Sequence, residues 1–159
     1  MPKYPVVDIT VSLNELPGEM AVALVFGNCT QKCKGCHSDY LQTPIFTDLW
    51  QDLEVLKTKV KKQRDHGATV VVLMGGTTNG VEPGDLQKLI EELATILPVG
   101  IYSGLPEKAL YHKFLRGIAG LTWLKTGSYI EELGGLETPG TNQKLYKRDN
   151  EDWKEIRFV

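Results

Sequence analysis

Long apolar runs are missing from this 159-residue chain. The longest, Ala21 to Phe26, has the length of a strand and falls far short of the roughly 20 residues that span a bilayer. The chain therefore reads as soluble, with no membrane partner. A basic excess is missing as well: 18 Lys and Arg face 20 Asp and Glu, for a net charge of -2. A protein that tracks phosphates carries a positive surplus, so nucleic acid is not an expected partner. The start, Met1-Pro2-Lys3-Tyr4-Pro5, lacks the basic segment, apolar run and small-residue cleavage site of a signal peptide. A cytoplasmic location is the expectation, and the formal sequon Asn28-Cys29-Thr30 then has no chemical meaning. Internal repeats, low-complexity tracts and linkers are absent. What remains, 42% hydrophobic and 24% charged residues, is the mixture of one globular domain over residues 1–159. A domain near this length buries roughly 68–70% of its unfolded surface, so a core forms without disulfide staples.

Val6 to Leu13 alternates β-branched and polar residues, and Pro17-Gly18 turns it into the apolar run Ala21 to Phe26, which predicts a hairpin. Leu49, Leu53, Leu56 and Val60 then recur at helical spacing, with Thr47 or Asp48 as cap and Gly67 as stop. The cations of this helix, Lys57, Lys59, Lys61, Lys62 and Arg64, read as a solvated face balanced by Asp52, Glu54 and Asp65. Val70 to Met74 is apolar without alternation, as a parallel strand buried on both faces should be, and Gly75-Gly76 ends it. A helix is predicted from about Asp85 to Leu97, a strand at Val99 to Tyr102, a helix at Pro106 to Arg116 and a strand at Leu121 to Leu124. Alternating strands and helices imply a mostly parallel sheet with ligands at the carboxyl ends of its strands. A closed eight-fold barrel needs about 250 residues. The expected fold class is accordingly α/β, an incomplete β/α barrel with mostly parallel strands. From Thr126 onward Gly134-Gly135 and Pro139-Gly140 punctuate the chain and the helix signal fades.

All three cysteines, Cys29, Cys33 and Cys36, fall within Cys29-Thr30-Gln31-Lys32-Cys33-Lys34-Gly35-Cys36-His37, directly after the Ala21 to Phe26 strand. Three soft thiolates on such a loop ask for a metal. A zinc site of Cys29, Cys33, Cys36 and His37 requires the adjacent Cys36 and His37 to wrap one tetrahedral ion, which neighbours rarely do. Cys33-Lys34-Gly35-Cys36-His37 matches the covalent haem pattern, which normally belongs to exported proteins. A thioredoxin-like pair would use Cys33 and Cys36 and leave Cys29 unexplained. An iron-sulfur cluster with three protein ligands leaves one iron open to chemistry.

The spacing Cys-x3-Cys-x2-Cys after the first core strand resembles the radical S-adenosylmethionine superfamily. Leu16-Pro17-Gly18-Glu19, Lys34-Gly35-Cys36-His37 and the tail segments Lys125-Thr126-Gly127-Ser128-Tyr129-Ile130, Glu132-Leu133-Gly134-Gly135-Leu136 and Thr141-Asn142-Gln143-Lys144-Leu145-Tyr146 resemble, more narrowly, the activating proteins of anaerobic ribonucleoside-triphosphate reductase. The resemblance implies one 4Fe-4S cluster held by Cys29, Cys33 and Cys36, with S-adenosylmethionine chelating its open iron. It implies an activase that makes a glycyl radical on the large reductase subunit, fed by a reducing donor such as a flavodoxin or ferredoxin. An incomplete barrel would open sideways to admit the partner's glycine loop.

Gly75 and Gly76 match the superfamily's glycine-rich motif, whose backbone approaches the amino group of S-adenosylmethionine. Thr77 stands where an acidic residue is usual, and offers a neutral hydroxyl in place of a carboxylate. Gly35 replaces an aromatic common in the superfamily, and Ser128 replaces a proline common in the family. The resemblance assigns no role to Asn142, Gln143 or Tyr146. Trp50, Trp123 and Trp153 read as packing residues, while His66 and His112 read as helix-end and helix-surface residues. The competing functions are another glycyl-radical activase or radical S-adenosylmethionine enzyme, and, in a different class, a noncatalytic zinc-binding interaction module.

Overall fold

A computed structural model describes residues 2–13, 16–27, 49–77, 79–103, 105, 120–127, 133, 142–149 and 152–156. The expected helix at Pro106 to Arg116 and the three cysteines lie outside these residues. Strand β1 (Lys3–Tyr4) pairs with β4 (Gln51–Asp52) in a small antiparallel ribbon. The main sheet contains β2 (Val6–Ser12), β3 (Ala21–Phe26), β5 (Val70–Met74), β6 (Val99–Tyr102), β7 (Leu121–Thr126), β8 (Lys144–Asp149) and β9 (Asp152–Ile156), in that order across it. Helices α1 (Leu53–Asp65) and α2 (Pro83–Ala94) are the two among the described residues.

The expectation of a mostly parallel, incomplete β/α barrel is corrected by this sheet. Only the three pairs β3–β5, β5–β6 and β6–β7 are parallel. The pairs β2–β3, β7–β8 and β8–β9 are antiparallel. The fold is a mixed α/β arrangement on an open seven-stranded sheet, with β2 and β9 as its edges. The physical reason lies in the tail. Instead of adding a further parallel strand, Lys144–Asp149 and Asp152–Ile156 pair antiparallel, in a register that closes at Asp149 and Asp152. With no barrel present, the sideways opening inferred from one is withdrawn too.

The parallel block is apolar on both faces because both are covered. On one face Val22, Leu24, Phe26, Val71, Leu73, Val99, Ile101, Leu121 and Leu124 pack with Leu53, Leu56 and Val60 of α1 and Leu86, Leu89, Ile90 and Leu93 of α2. On the other, Ala21, Val70, Val72, Trp123 and Leu145 gather around Leu16. α1 begins later in sequence than apolar spacing alone suggests, and α2 begins earlier, at Pro83. α1 starts after Asp52, because Gln51 and Asp52 are held extended by β1. It stops at His66, whose Nδ1 lies 2.7 Å from the Lys62 carbonyl, and at Gly67 with φ 108°. α2 carries Pro83 in its first turn, where a missing N–H costs nothing.

Tyr4 docks β1 onto the helical layer: it is fully buried, and its hydroxyl donates to the Asp85 carbonyl at 2.6 Å. Burial first, then the carboxylates of Asp85 and Glu92, push its phenol well above the ordinary range, so it remains a donor. The cationic face of α1 behaves as the sequence suggests: Lys57 pairs with Glu92 at 3.2 Å and Glu54 at 3.6 Å, and Arg64 with Asp65 at 3.3 Å.

Trp123 is a packing residue, 4% exposed, and its fit depends on Gly100. A Cβ on Gly100 would sit 2.9 Å from the Trp123 Cβ. Gly100→Val should therefore lower the stability of the domain by about 1–3 kcal/mol through overpacking. A shifted urea midpoint with an unchanged slope is the expected result.

Candidate functional site

Strands β3, β5, β6 and β7 run in the same direction, so their carboxyl ends share one edge of the sheet. Gly27 follows β3 there, Gly75 to Thr77 follow β5, Ser103 follows β6 and Gly127 follows β7. Among the described residues the buried polar side chains are Thr77, Asn79, Ser103, Thr126 and Gln143, and every one of them lies along this edge. A buried polar group is stable only when hydrogen-bonded, and the bonds here form a relay from strand end to strand end.

The relay starts at Gly27, whose N–H donates to the Pro5 carbonyl at 2.8 Å. Its carbonyl accepts from Asn79 Nδ2 at 2.6 Å, while Asn79 Oδ1 accepts the Gly76 N–H at 2.7 Å. Gly75 donates its N–H to the Tyr102 carbonyl at 3.1 Å. The Thr77 and Ser103 hydroxyls lie 2.7 Å apart, and Ser103 Oγ also accepts the Leu105 N–H at 3.1 Å. Ser103 donates its N–H to the Lys125 carbonyl at 2.8 Å, and Gly127 does the same to the Leu105 carbonyl at 2.8 Å. Gln143 Nε2 completes the series on the Gly127 carbonyl at 3.4 Å.

Gly75 and Gly76 thus lie where the sequence predicts, but their lack of side chains has an internal cause. Their φ values are 120° and 106°, a region that favours glycine. A Cβ on Gly75 would come within 2.8 Å of the Phe26 Cβ and 3.0 Å of Asn79 Oδ1; one on Gly76 would come within 2.9 Å of Leu86 Cδ1. Both would-be side chains point into the protein's own packing. Both N–H groups are committed within the protein, to Tyr102 and to Asn79. Thr77 is 3% exposed and hydrogen-bonded to Ser103, so it is part of the frame.

Asn79 and Ser103 are residues of this edge that sequence reasoning passed over, and Gln143 is one that it named without a role. Asn79-Gly80 reads as a turn, and Gly80 has φ 78° as a turn requires; nothing in the dipeptide announces that the amide is buried. The tail segment containing Asn142 and Gln143 abuts Gly127, since a Cβ there would lie 2.9 Å from the Asn142 carbonyl oxygen. The two family-like pieces of the tail, Lys125 to Gly127 and Asn142 to Gln143, therefore touch. Tyr146 pairs with Leu124 and packs half-buried against the core. Cys29, Cys33, Cys36 and His37 lie outside the described residues. Among the described residues no group of three or more His, Cys, Asp or Glu could hold a metal, and no helix is long and apolar enough to cross a membrane.

No protein-family model, curated protein or solved structure matches the chain. The chemistry of the donors decides what the edge could hold. Three thiols spaced over eight positions suit soft-metal ligation by iron.

Gly76→Val should unfold the domain at lower urea even without any cofactor, because the new side chain meets Leu86 from a left-handed backbone. A loss of about 2 kcal/mol or more is expected in a chain never exposed to iron. An unchanged midpoint would return Gly76 to a role in ligand approach alone.

Proposed function

We propose that the chain is a radical S-adenosylmethionine activase that generates a glycyl radical on the large subunit of anaerobic ribonucleoside-triphosphate reductase. The observation that supports it is a juxtaposition. The segment bearing Cys29, Cys33 and Cys36 leaves the carboxyl end of β3 at Gly27, and Asn79 binds Gly27 to the Gly75–Gly76 loop.

In this reading Cys29, Cys33 and Cys36 are the protein ligands of one 4Fe-4S cluster. The carbonyls of Gly75 and Gly76 accept from the amino group of S-adenosylmethionine, and Thr77, through Ser103, holds that loop against β6. Thr77 supplies no charge, so the ammonium is met by neutral dipoles. Held by these cysteines and reduced by a flavodoxin or ferredoxin, such a cluster would supply the one electron needed to cleave S-adenosylmethionine to methionine and a 5'-deoxyadenosyl radical, which would take hydrogen from the partner's glycine. Such chemistry suits the reducing cytoplasm, where three neighbouring thiols stay unpaired.

Anaerobic reconstitution with iron and sulfide should load about four irons per chain and give visible charge-transfer absorption that oxygen bleaches. Cys29→Ala, Cys33→Ala and Cys36→Ala should each prevent stable assembly, whereas His37→Ala should allow it. With dithionite, S-adenosylmethionine and the cognate reductase, a glycyl-radical signal should appear on the reductase. Cofactor cleavage without that signal would point to another radical substrate. One zinc per chain with no uptake of iron would replace the activase by a zinc-binding interaction module.

A further inference from the structure

We infer that Asn79 is the positioning residue that fixes Gly27, from which the cysteine-bearing segment departs, against the Gly75–Gly76 loop; this inference rests on the function proposed above. Its amide lies 52 residues along the chain from Gly27 and bridges two backbone segments, donating to the Gly27 carbonyl at 2.6 Å and accepting from the Gly76 N–H at 2.7 Å. Only a side chain with a donor and an acceptor on one short planar group can do both, and Asn is the smallest that does. The amide is 2% exposed, so solvent does not compete for either bond.

The surroundings are cut to admit it. Gly75 has no Cβ, and one there would stand 3.0 Å from Asn79 Oδ1 and 3.4 Å from Nδ2. Gly80, directly after it, has φ 78°, a conformation that favours glycine. Gly27 is held from its other side by Pro5, so the amide bonds to an anchored carbonyl. β3 and β5 already pair in parallel through Val25 and Met74, and Asn79 extends that pairing beyond the strands to the residues that would carry chemistry. A cluster and the loop that meets the ammonium of its ligand must keep a fixed separation for one molecule to reach both. Asn79 holds Gly27, where the cysteine-bearing segment departs, against that loop.

Two substitutions separate the bonds. Asn79→Asp keeps the acceptor for Gly76 and loses the donor to Gly27; Asn79→Ala loses both. In the cluster-free chain, amide exchange at Gly76 followed by NMR should quicken at least tenfold in Asn79→Ala and remain slow in Asn79→Asp. In the reconstituted protein, Asn79→Asp should hold the same iron per chain as the wild type, yet bind S-adenosylmethionine at least tenfold more weakly. The change that this ligand induces in the EPR spectrum of the reduced cluster should also be diminished. Should the aspartate variant fail to fold, Asn79→Ser, with room for a bridging water, gives the same comparison. Wild-type affinity and a wild-type spectral change in a folded variant overturn the positioning role. A wild-type protein that assembles no cluster overturns the proposed function instead, and the exchange measurement still reports whether the amide clamps Gly76.

Discussion

Double-sided burial of the parallel strands is the constraint from which the rest of the architecture follows. Val70, Val71, Val72 and Leu73 are all inaccessible to solvent, with α1 and α2 above one face and the Leu16, Trp123 and Leu145 cluster on the other. Strands so enclosed cannot carry a polar side chain between their ends without a partner. Polar groups are therefore displaced to the edges, and the described ones collect at the carboxyl edge. There the parallel direction aligns four chain exits side by side, and short hydroxyl and amide side chains satisfy one another. Chemistry and frame occupy the same line of residues because the core leaves them no other place.

Burial also separates the two possible meanings of a glycine. A glycine-rich strand end can signal a ligand lying on the backbone or a backbone lying on its own core, and the sequence Met74-Gly75-Gly76 is the same in both cases. Here the contacts at Phe26, Asn79 and Leu86 explain why no side chain is tolerated. The amides of both glycines are taken within the protein, so the loop differs from a glycine loop that cradles phosphate with its N–H groups.

Legibility followed the strength of each local pattern. Val70 to Met74 and Val99 to Tyr102 were readable because unbroken apolar runs have few other uses, and α2 because Leu86, Leu89, Ile90 and Leu93 mark one helical face. The β8–β9 hairpin was not readable. Charges at Lys144, Lys147, Arg148, Asp149, Asp152, Lys154 and Glu155 outnumber the apolar Leu145, Tyr146, Trp153 and Ile156, so no regular apolar period marks the two strands. Several of these charges lie against neighbours: Lys147 over the Trp123 ring at 5.0 Å and Arg148 over Trp153 at 4.7 Å. Missing this hairpin is what turned a mixed sheet into an expected barrel. In the site, residue types with known habits, cysteine and glycine, stood out, whereas Asn79 and Ser103 act through burial that only the folded chain creates.

The two edges of the open sheet bear on how a large partner would approach. At β2 the Val6 carbonyl is taken by Gln51 Nε2 at 2.7 Å and the Ile9 N–H by the Asp8 carboxylate at 2.9 Å. An incoming strand would have to displace both. At β9 the short segment Asp-Trp-Lys-Glu-Ile carries three charges in five residues, and short, charged edge strands discourage strand addition. Guarded in these ways, neither edge favours a partner docking by extending the sheet. The carboxyl edge differs in kind: its backbone groups are ordered by buried side chains but its exits lead into the cysteine-bearing segment and the tail. If a glycine of another protein is the substrate, the hydrogen-bonded frame from Gly27 to Gln143 is the rigid border against which that glycine would be brought, and the partner's affinity must come from surfaces around this border and not from strand pairing.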